Sequence, residues 1–389
     1  EIACELGVEG VVEGTVLRSG ERIRISAQLL HAPTDTHLWA ESYDRDLRDV
    51  MALHSEVAQA IARQVEARMT PHEQAQLAST RKVDPHVYEE YLRGRYFWNK
   101  RTLEGMSKGA EYFQRAIDKD PGYAPAYAGL ADSAARLGWW GYVSPRDGCA
   151  RAKAAALQAL GIDNSLSDAH AALGFALLHY DYSFQAAEEE CRRAVELDPR
   201  SSVAAQVYAC YLTASGRVAE GAIEALRSTQ LDPLSLPLQW FAGVIIYQAR
   251  QYDRAIEQAY KCLELDPSFP PARSTISLSL ARLRKDDCGI RDMVEAVRAT
   301  GANQFFVGVL GYCYAMAGRR ADAKGILEQR RQASSQRYVW AFWPAVINGA
   351  LGEKDEAFRL LETASEEHAP WMAYVKVVPF LDDLRSDPR

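Results

Sequence analysis

Two hydrophobic periods divide the chain. In the opening seventy residues apolar positions first recur in twos. The stretch Gly7–Leu17 (GVEGVVEGTVL) and the stretch Arg22–Leu29 (RIRISAQL) flank the turn Arg18–Glu21, and β-branched residues alternating around a Gly-containing turn predict a hairpin. A second turn at Ala32–Asp35 leads to a third short strand, His37–Tyr43. The period then becomes helical, with Val50, Leu53, Val57, Ile61 and Val65 spaced by three and four, which predicts an amphipathic helix packed on that sheet. Three strands and one helix are too few to bury both faces of a sheet, so residues 1–70 are expected to be the C-terminal part of a larger α/β domain. The glycines at 7, 10 and 14 read as strand and turn glycines, because no Gly-Lys-Ser/Thr and no helix follow them.

From residue 87 the helical period falls under a longer ruler. Asp120, Asp163, Asp198, Asp232 and Asp266 are separated by 43, 35, 34 and 34 residues, four of them followed by Pro and one by Asn, and two further steps of 34 reach Thr300-Gly301 and Ser334-Ser335. A small residue, a residue four later and a residue three later precede each mark. They read Gly109/Phe113/Ala116, Ala152/Ala156/Ala159, Ala187/Cys191/Ala194, Gly221/Ala225/Ser228, Ala255/Ala259/Cys262, Gly289/Met293/Ala296, Ala323/Leu327/Arg330 and Ala357/Leu361/Ala364. Small side chains recur where helices approach closely, since a bulky one would overpack. Gly138, Gly216, Gly318 and Gly352 share an offset expected to end the first helix of a unit in a left-handed conformation. Pro125, Pro237 and Pro271 share another, expected to be the first helical position. A 34-residue helix-turn-helix period of this kind is the tetratricopeptide signature. The predicted fold is therefore mainly α: a right-handed solenoid of about eight repeats preceded by a partial α/β domain.

The second unit exceeds the ruler by nine residues, around Trp139-Trp140-Gly141-Tyr142-Val143-Ser144-Pro145. An inter-helix loop is expected there, its rings covering its own base, with ligand contact as the alternative. Boundaries follow: an α/β part at 1–70, a polar linker at 71–86, the repeat array at 87–369 and a capping segment at 370–389, which an array needs because its last unit otherwise exposes a stacking face.

A net charge of -7 without a basic run offers no stripe for a phosphate backbone, so nucleic-acid binding by this segment is not expected. No apolar run is long enough to span a membrane. The seven cysteines form no C-x-x-C pair and mostly occupy helix positions suited to small apolar residues; they read as core thiols and point to a reducing, cytoplasmic compartment, with a periplasmic one as the alternative. Both ends read as cut from a longer protein.

Catalytic patterns are missing from the sequence: no H-E-x-x-H, no G-x-S-x-G and no kinase-type glycine loop occurs. The eight histidines are scattered and read as solvent-facing or capping, and Glu188-Glu189-Glu190 as a solvated helix face. No enzyme activity, cofactor or metal is expected. What the ruler does place together is an inner surface formed by the first helix of each unit. It collects Tyr91, Arg95 and Trp98, then Asp132, Phe175, Gln206, Trp240, Tyr247, Tyr312 and Phe342 as candidate partner contacts. An aromatic groove of this kind suits another polypeptide.

The run Gly10–Ile61, together with YLRGRYFWNKRT (Tyr91–Thr102), YAPAYAGLADS (Tyr123–Ser133) and LRSDPR (Leu384–Arg389), resembles bacterial tetratricopeptide regulators that carry a TolB-like amino-terminal domain. The resemblance implies a multidomain parent in which a kinase, adenylate-cyclase-like or winged-helix domain precedes this part. The expected function is a scaffold that binds a protein or peptide in the concave groove; the alternative is a non-catalytic sensor or substrate-selecting part of a larger signalling enzyme or transcriptional regulator.

Overall fold

Alternation in the first residues produces a three-stranded antiparallel sheet in the order β1 (Gly10–Ser19), β2 (Arg22–His31), β3 (Thr36–Asp46). The computed structural model describes residues 8–34, 36–46, 50–64, 83–100, 102–284, 286–334 and 338–388, and the chain divides into two compact units, residues 1–92 and 93–389. Val16 pairs with Ile25 and Ile25 with Tyr43, with an irregularity at Leu29/Leu30. Helix α1 (Val50–Gln64) supplies Leu53 and Ala60 to a small core with Ile23 and Tyr43. Val65 and most of the expected linker lie outside the described residues.

Eight helix pairs follow among the described residues. They are α2 (Pro85–Asn99) with α3 (Leu103–Lys119), α4 (Ala124–Trp139) with α5 (Pro145–Ile162), α6 (Ser167–His179) with α7 (Phe184–Leu197), and α8 (Ser202–Ala214) with α9 (Val218–Leu231). Then come α10 (Leu236–Gln248) with α11 (Tyr252–Leu265), α12 (Pro270–Arg282) with α13 (Asp286–Ala299), α14 (Gln304–Met316) with α15 (Arg320–Ser334), and α16 (Phe342–Ala350) with α17 (Lys354–Glu366). The array is thus a tetratricopeptide-type solenoid, and the division between the two compact units falls within α2, at 92/93.

The recurring aspartates have a local cause. Each closes a second helix, and the carboxylates of Asp120, Asp163, Asp198 and Asp266 accept the amide two residues on at 2.8–3.0 Å, which starts the turn into the next unit. The small-residue triplets sit where helices meet: Ala152, Ala187, Ala255, Ala323 and Ala357 are fully buried.

First helices end in a left-handed residue at 182, 216, 250, 284, 318 and 352, a period of 34 without a break. At each of 216, 250, 318 and 352 the next amide reaches back to a carbonyl five residues earlier, as in Arg217 to Leu212 at 2.8 Å, so the exposed helix end is satisfied. Gly138 is not one of these positions: α4 runs past it, and Gly141 (φ 72°) turns the chain instead. The three prolines occupy the second helical position rather than the first, where the amide is equally dispensable.

The nine extra residues of the second unit lengthen its helices to 16 and 18 residues, against 13 and 14 in the fourth. Its rings do not cover their own base. They reach across the array to the seventh unit, where Asn303 donates to the Trp140 carbonyl (3.2 Å) and Gln304 to that of Gly141 (3.0 Å). After α17 the chain turns at His368 (φ 53°) and forms two 3-10 turns, Pro370–Tyr374 and Pro379–Leu384. These do not cap the last unit alone; they pack on α6, α8 and α16, so residues 369–388 return through the inside of the curve.

Candidate functional site

Six of the residues expected to line an open groove are instead buried. Phe175, Gln206, Trp240, Tyr247, Tyr312 and Phe342 are all at most 2% exposed. Two things cover them. Trp140, from the second unit's insertion, stacks on Trp240 with ring centres 5.2 Å apart, and Trp139 meets the same indole edge-on at 5.9 Å. The returning segment supplies the rest: Phe380 lies 6.3 Å from Tyr247 and 6.0 Å from both Tyr312 and Phe342, and Trp371 stacks on Phe305 at 5.9 Å. The array curves tightly enough for rings of opposite walls to meet, so burial inside a closed channel replaces the expected solvent-facing groove.

Three of the predicted residues converge on a charge that periodicity did not single out. Arg136 of α4, 3% exposed, donates from Nε to Asp132 at 3.1 Å and from Nη2 to Gln206 at 3.4 Å, and its guanidinium lies 4.1 Å from the centre of the Phe175 ring. A buried cation needs this combination of an acid, an amide oxygen and an aromatic face. Helical spacing explains the Asp132–Arg136 pair, four apart on one face; Gln206 arrives from two units further on.

The returning segment is held at polar points as well. His179 and Tyr374 share a hydrogen bond of 2.9 Å, Tyr182 donates to the Ala369 carbonyl at 2.9 Å, and His368 bonds the Tyr180 carbonyl. Asp382 receives Arg250 at 2.8 Å and Arg282 at 3.3 Å, and also pairs with Arg385, whose guanidinium binds the Val375 and Val378 carbonyls. The indole nitrogens of Trp139, Trp240 and Trp343 are buried without an acceptor, as is the Tyr247 hydroxyl. Each such group costs on the order of 1–3 kcal/mol.

The remaining predicted residues lie elsewhere. Tyr91, half-buried, stacks beside Tyr88 in the first unit. Arg95 pairs with Asp168 at 3.6 Å, and Trp98 is buried under α3, where a Cβ on Gly109 would come 3.1 Å from it. The histidines depart from the expected pattern: His179 is fully buried, and His170 is buried with Nδ1 2.6 Å from Glu190. That pair takes Glu190 out of the expected solvated face, on which Glu189 stays exposed; against the opposing effect of burial, Glu190 keeps His170 above the usual histidine range.

Burial disfavours the thiolate at Cys149, Cys191, Cys210 and Cys262. It pushes Cys149 and Cys262 up to about 12 and Cys210 up to about 11. Cys149 lies near Asp181, which Lys153 binds at 2.6 Å. Among the described residues no group of three or more His, Cys, Asp or Glu is placed to hold a metal ion, and no helix is long and apolar enough to cross a membrane.

No protein-family model matches the chain. A putative adenylate cyclase 3 from Rhizobium meliloti (strain 1021) is 34% identical over 179 residues, which is 46% of this chain and 30% of that protein; the chain thus matches under a third of the relative's length. Among solved structures, a tetratricopeptide repeat protein from Parabacteroides merdae is 14% identical with a TM-score of 0.43, covering 76% of this chain and 98% of its own. PilF of Pseudomonas aeruginosa is 23% identical with a TM-score of 0.41, over 56% and 95%. The fold established by the eight helix pairs is the tetratricopeptide-type array.

Proposed function

We propose that this chain is a protein-interaction scaffold whose inner channel binds a polypeptide segment. One observation carries the reading: the channel already holds such a polypeptide, residues 369–388, gripped by Trp371 and Phe380 between aromatic walls and by arginines on Asp382. Phe175, Gln206, Trp240, Tyr247, Tyr312 and Phe342 are the contacts assigned to a partner, with Asp132 acting through Arg136. Aromatic and arginine contacts of this type dominate polypeptide recognition. No catalytic role is assigned to any residue.

A photo-crosslinking residue at Val244 on the inner face of α10 tests this. Adducts to a second polypeptide in cells support the scaffold reading. Adducts found solely within residues 369–388 of the same chain overturn it.

A second reading rests on the relative named a putative adenylate cyclase, with which this chain shares 34% identity over 179 residues. In it, the scaffold is the non-catalytic, partner-selecting part of a larger signalling protein. Cyclase activity of that parent, unchanged when the channel is blocked, would count against it.

A further inference from the structure

We propose that residues 369–388 are a cis-bound pseudo-ligand, and that the channel recognises in a partner a 3-10-turned segment carrying an aromatic ring two residues before an aspartate, which docks on Arg250 and Arg282. This rests on the scaffold reading above and names the partner's chemistry.

The occupant lies outside the helix pairs, although Trp371, Tyr374, Val378, Phe380, Leu381 and Leu384 are buried in the core that those pairs share. It has no α-helix and no strand partner; it enters through a left-handed hinge at His368 and folds on itself, with Arg385 bridging two of its own carbonyls. Its contacts with the walls are that apolar cluster, the bonds of His179 to Tyr374, Tyr182 to Ala369 and His368 to Tyr180, and one carboxylate clamp. The clamp is the discriminating part. Arg250 and Arg282 come from neighbouring units and approach the two oxygens of Asp382, one each, at 2.8 and 3.3 Å, a geometry that fixes an acid and repels a base.

Arg250 also occupies a left-handed position (φ 60°), where three equivalent positions of the array carry glycine. A long cation held at a glycine-favouring site, half-exposed and with its guanidinium on Asp382, fits a recognition role. The fit of the occupant is incomplete: it offers no acceptor to the buried indoles of Trp240 and Trp343. A partner segment with carbonyl or carboxylate oxygens there would satisfy them and displace the cis segment. Until then the cis segment reduces the partner's apparent affinity by the fraction of time the channel is open.

The test uses the full chain and a labelled synthetic peptide with the sequence of residues 369–388. Asp382→Arg places four like charges together, with Arg250, Arg282 and Arg385, and releases the segment. This chain should bind the wild-type peptide about 100-fold more tightly than the wild-type chain does, because the cis competitor is gone. It should bind a peptide carrying Asp382→Arg about tenfold more weakly. The chain Arg250→Asp/Arg282→Asp should reverse that preference. A folded Asp382→Arg chain that binds both peptides equally overturns the charge recognition and leaves the scaffold reading standing; one that binds neither overturns both. Should the variant fail to fold, hydrogen exchange on the wild-type chain decides: amides of 369–388 exchanging roughly tenfold faster than those of α10 and α14 support the proposal, and equal rates overturn it, since the segment then opens only with the whole array.

Discussion

Tyr374 donates its hydroxyl proton to Nε2 of His179 at 2.9 Å, across 195 residues of sequence. The assignment follows from the other nitrogen, which lies 2.9 Å from the Phe175 carbonyl and must donate, because a carbonyl only accepts. With both nitrogens engaged the ring is neutral. Burial, with Arg136 adding a like charge, holds its pKa down to about 3.

Stability should therefore fall in acid. The folded ring takes up a proton near pH 3 and the unfolded one near 6.5, so this contribution is complete above 6.5 and lost as pH falls toward 3. The slope is about 1.4 kcal/mol per pH unit, or about 2 kcal/mol by pH 5. His170 works in the opposite sense, since its raised pKa stabilises at low pH and the gain is lost as pH rises through the folded value. Urea unfolding of a His170→Gln chain between pH 7.5 and 5 should show the loss, and adding His179→Gln should flatten it.

Arg284 is exposed and left-handed at φ 58°, with the conformation but not the residue of Gly216 and Gly318. Arg284→Gly should raise stability by up to about 1 kcal/mol by relieving backbone strain. Arg250→Gly should gain less, because it also removes the bond to Asp382. Thermal melting of the two variants side by side checks the difference.

Trp240 is 1% exposed among rings from four different helices or loops. Truncation to Ala should cost about 3–5 kcal/mol by leaving a cavity, whereas Ile223→Ala, at a 70% exposed site, should change stability by under about 0.5 kcal/mol. Denaturant midpoints measure both.

Gly308 of α14 faces Trp343 so closely that a Cβ would come within 2.2 Å of Cγ of the indole. Gly308→Ala should destabilise by about 1–3 kcal/mol, as overpacking forces the ring or the helix to move. An unchanged melting curve would mean that α14 and α16 can separate freely.

The repeat was legible because its marks are local in origin. An aspartate that caps a helix and starts a turn, or an alanine that two backbones press upon, is dictated by neighbours within one unit, so it recurs with the unit. The left-handed positions were legible only where glycine announces them; Tyr182, Arg250 and Arg284 adopt the same backbone without the signal. Arg136 and His179 escaped because a helical period reports which face a residue shares, not what stands opposite it across the channel. For the same reason the helical period puts the rings of Trp240 and Phe342 on a shared offset but carries no information on their covering by Trp140, Trp371 and Phe380. Residues 370–389 read as a cap, since their short apolar runs say nothing of the path they take.

A linear stack of repeats can unravel from either end, because a terminal unit has one neighbour and leaves by breaking one interface. The hydrogen bonds from Asn303 and Gln304 to the loop at Trp140 and Gly141 fasten the second unit to the seventh, so the units between them form a closed loop of contacts. None of these units has a free end from which to fray, and removing one breaks interfaces on both of its sides. The array should consequently melt in a single sharp transition and resist shortening, behaving less like a chain of independent beads than like a hoop that holds only while it is whole.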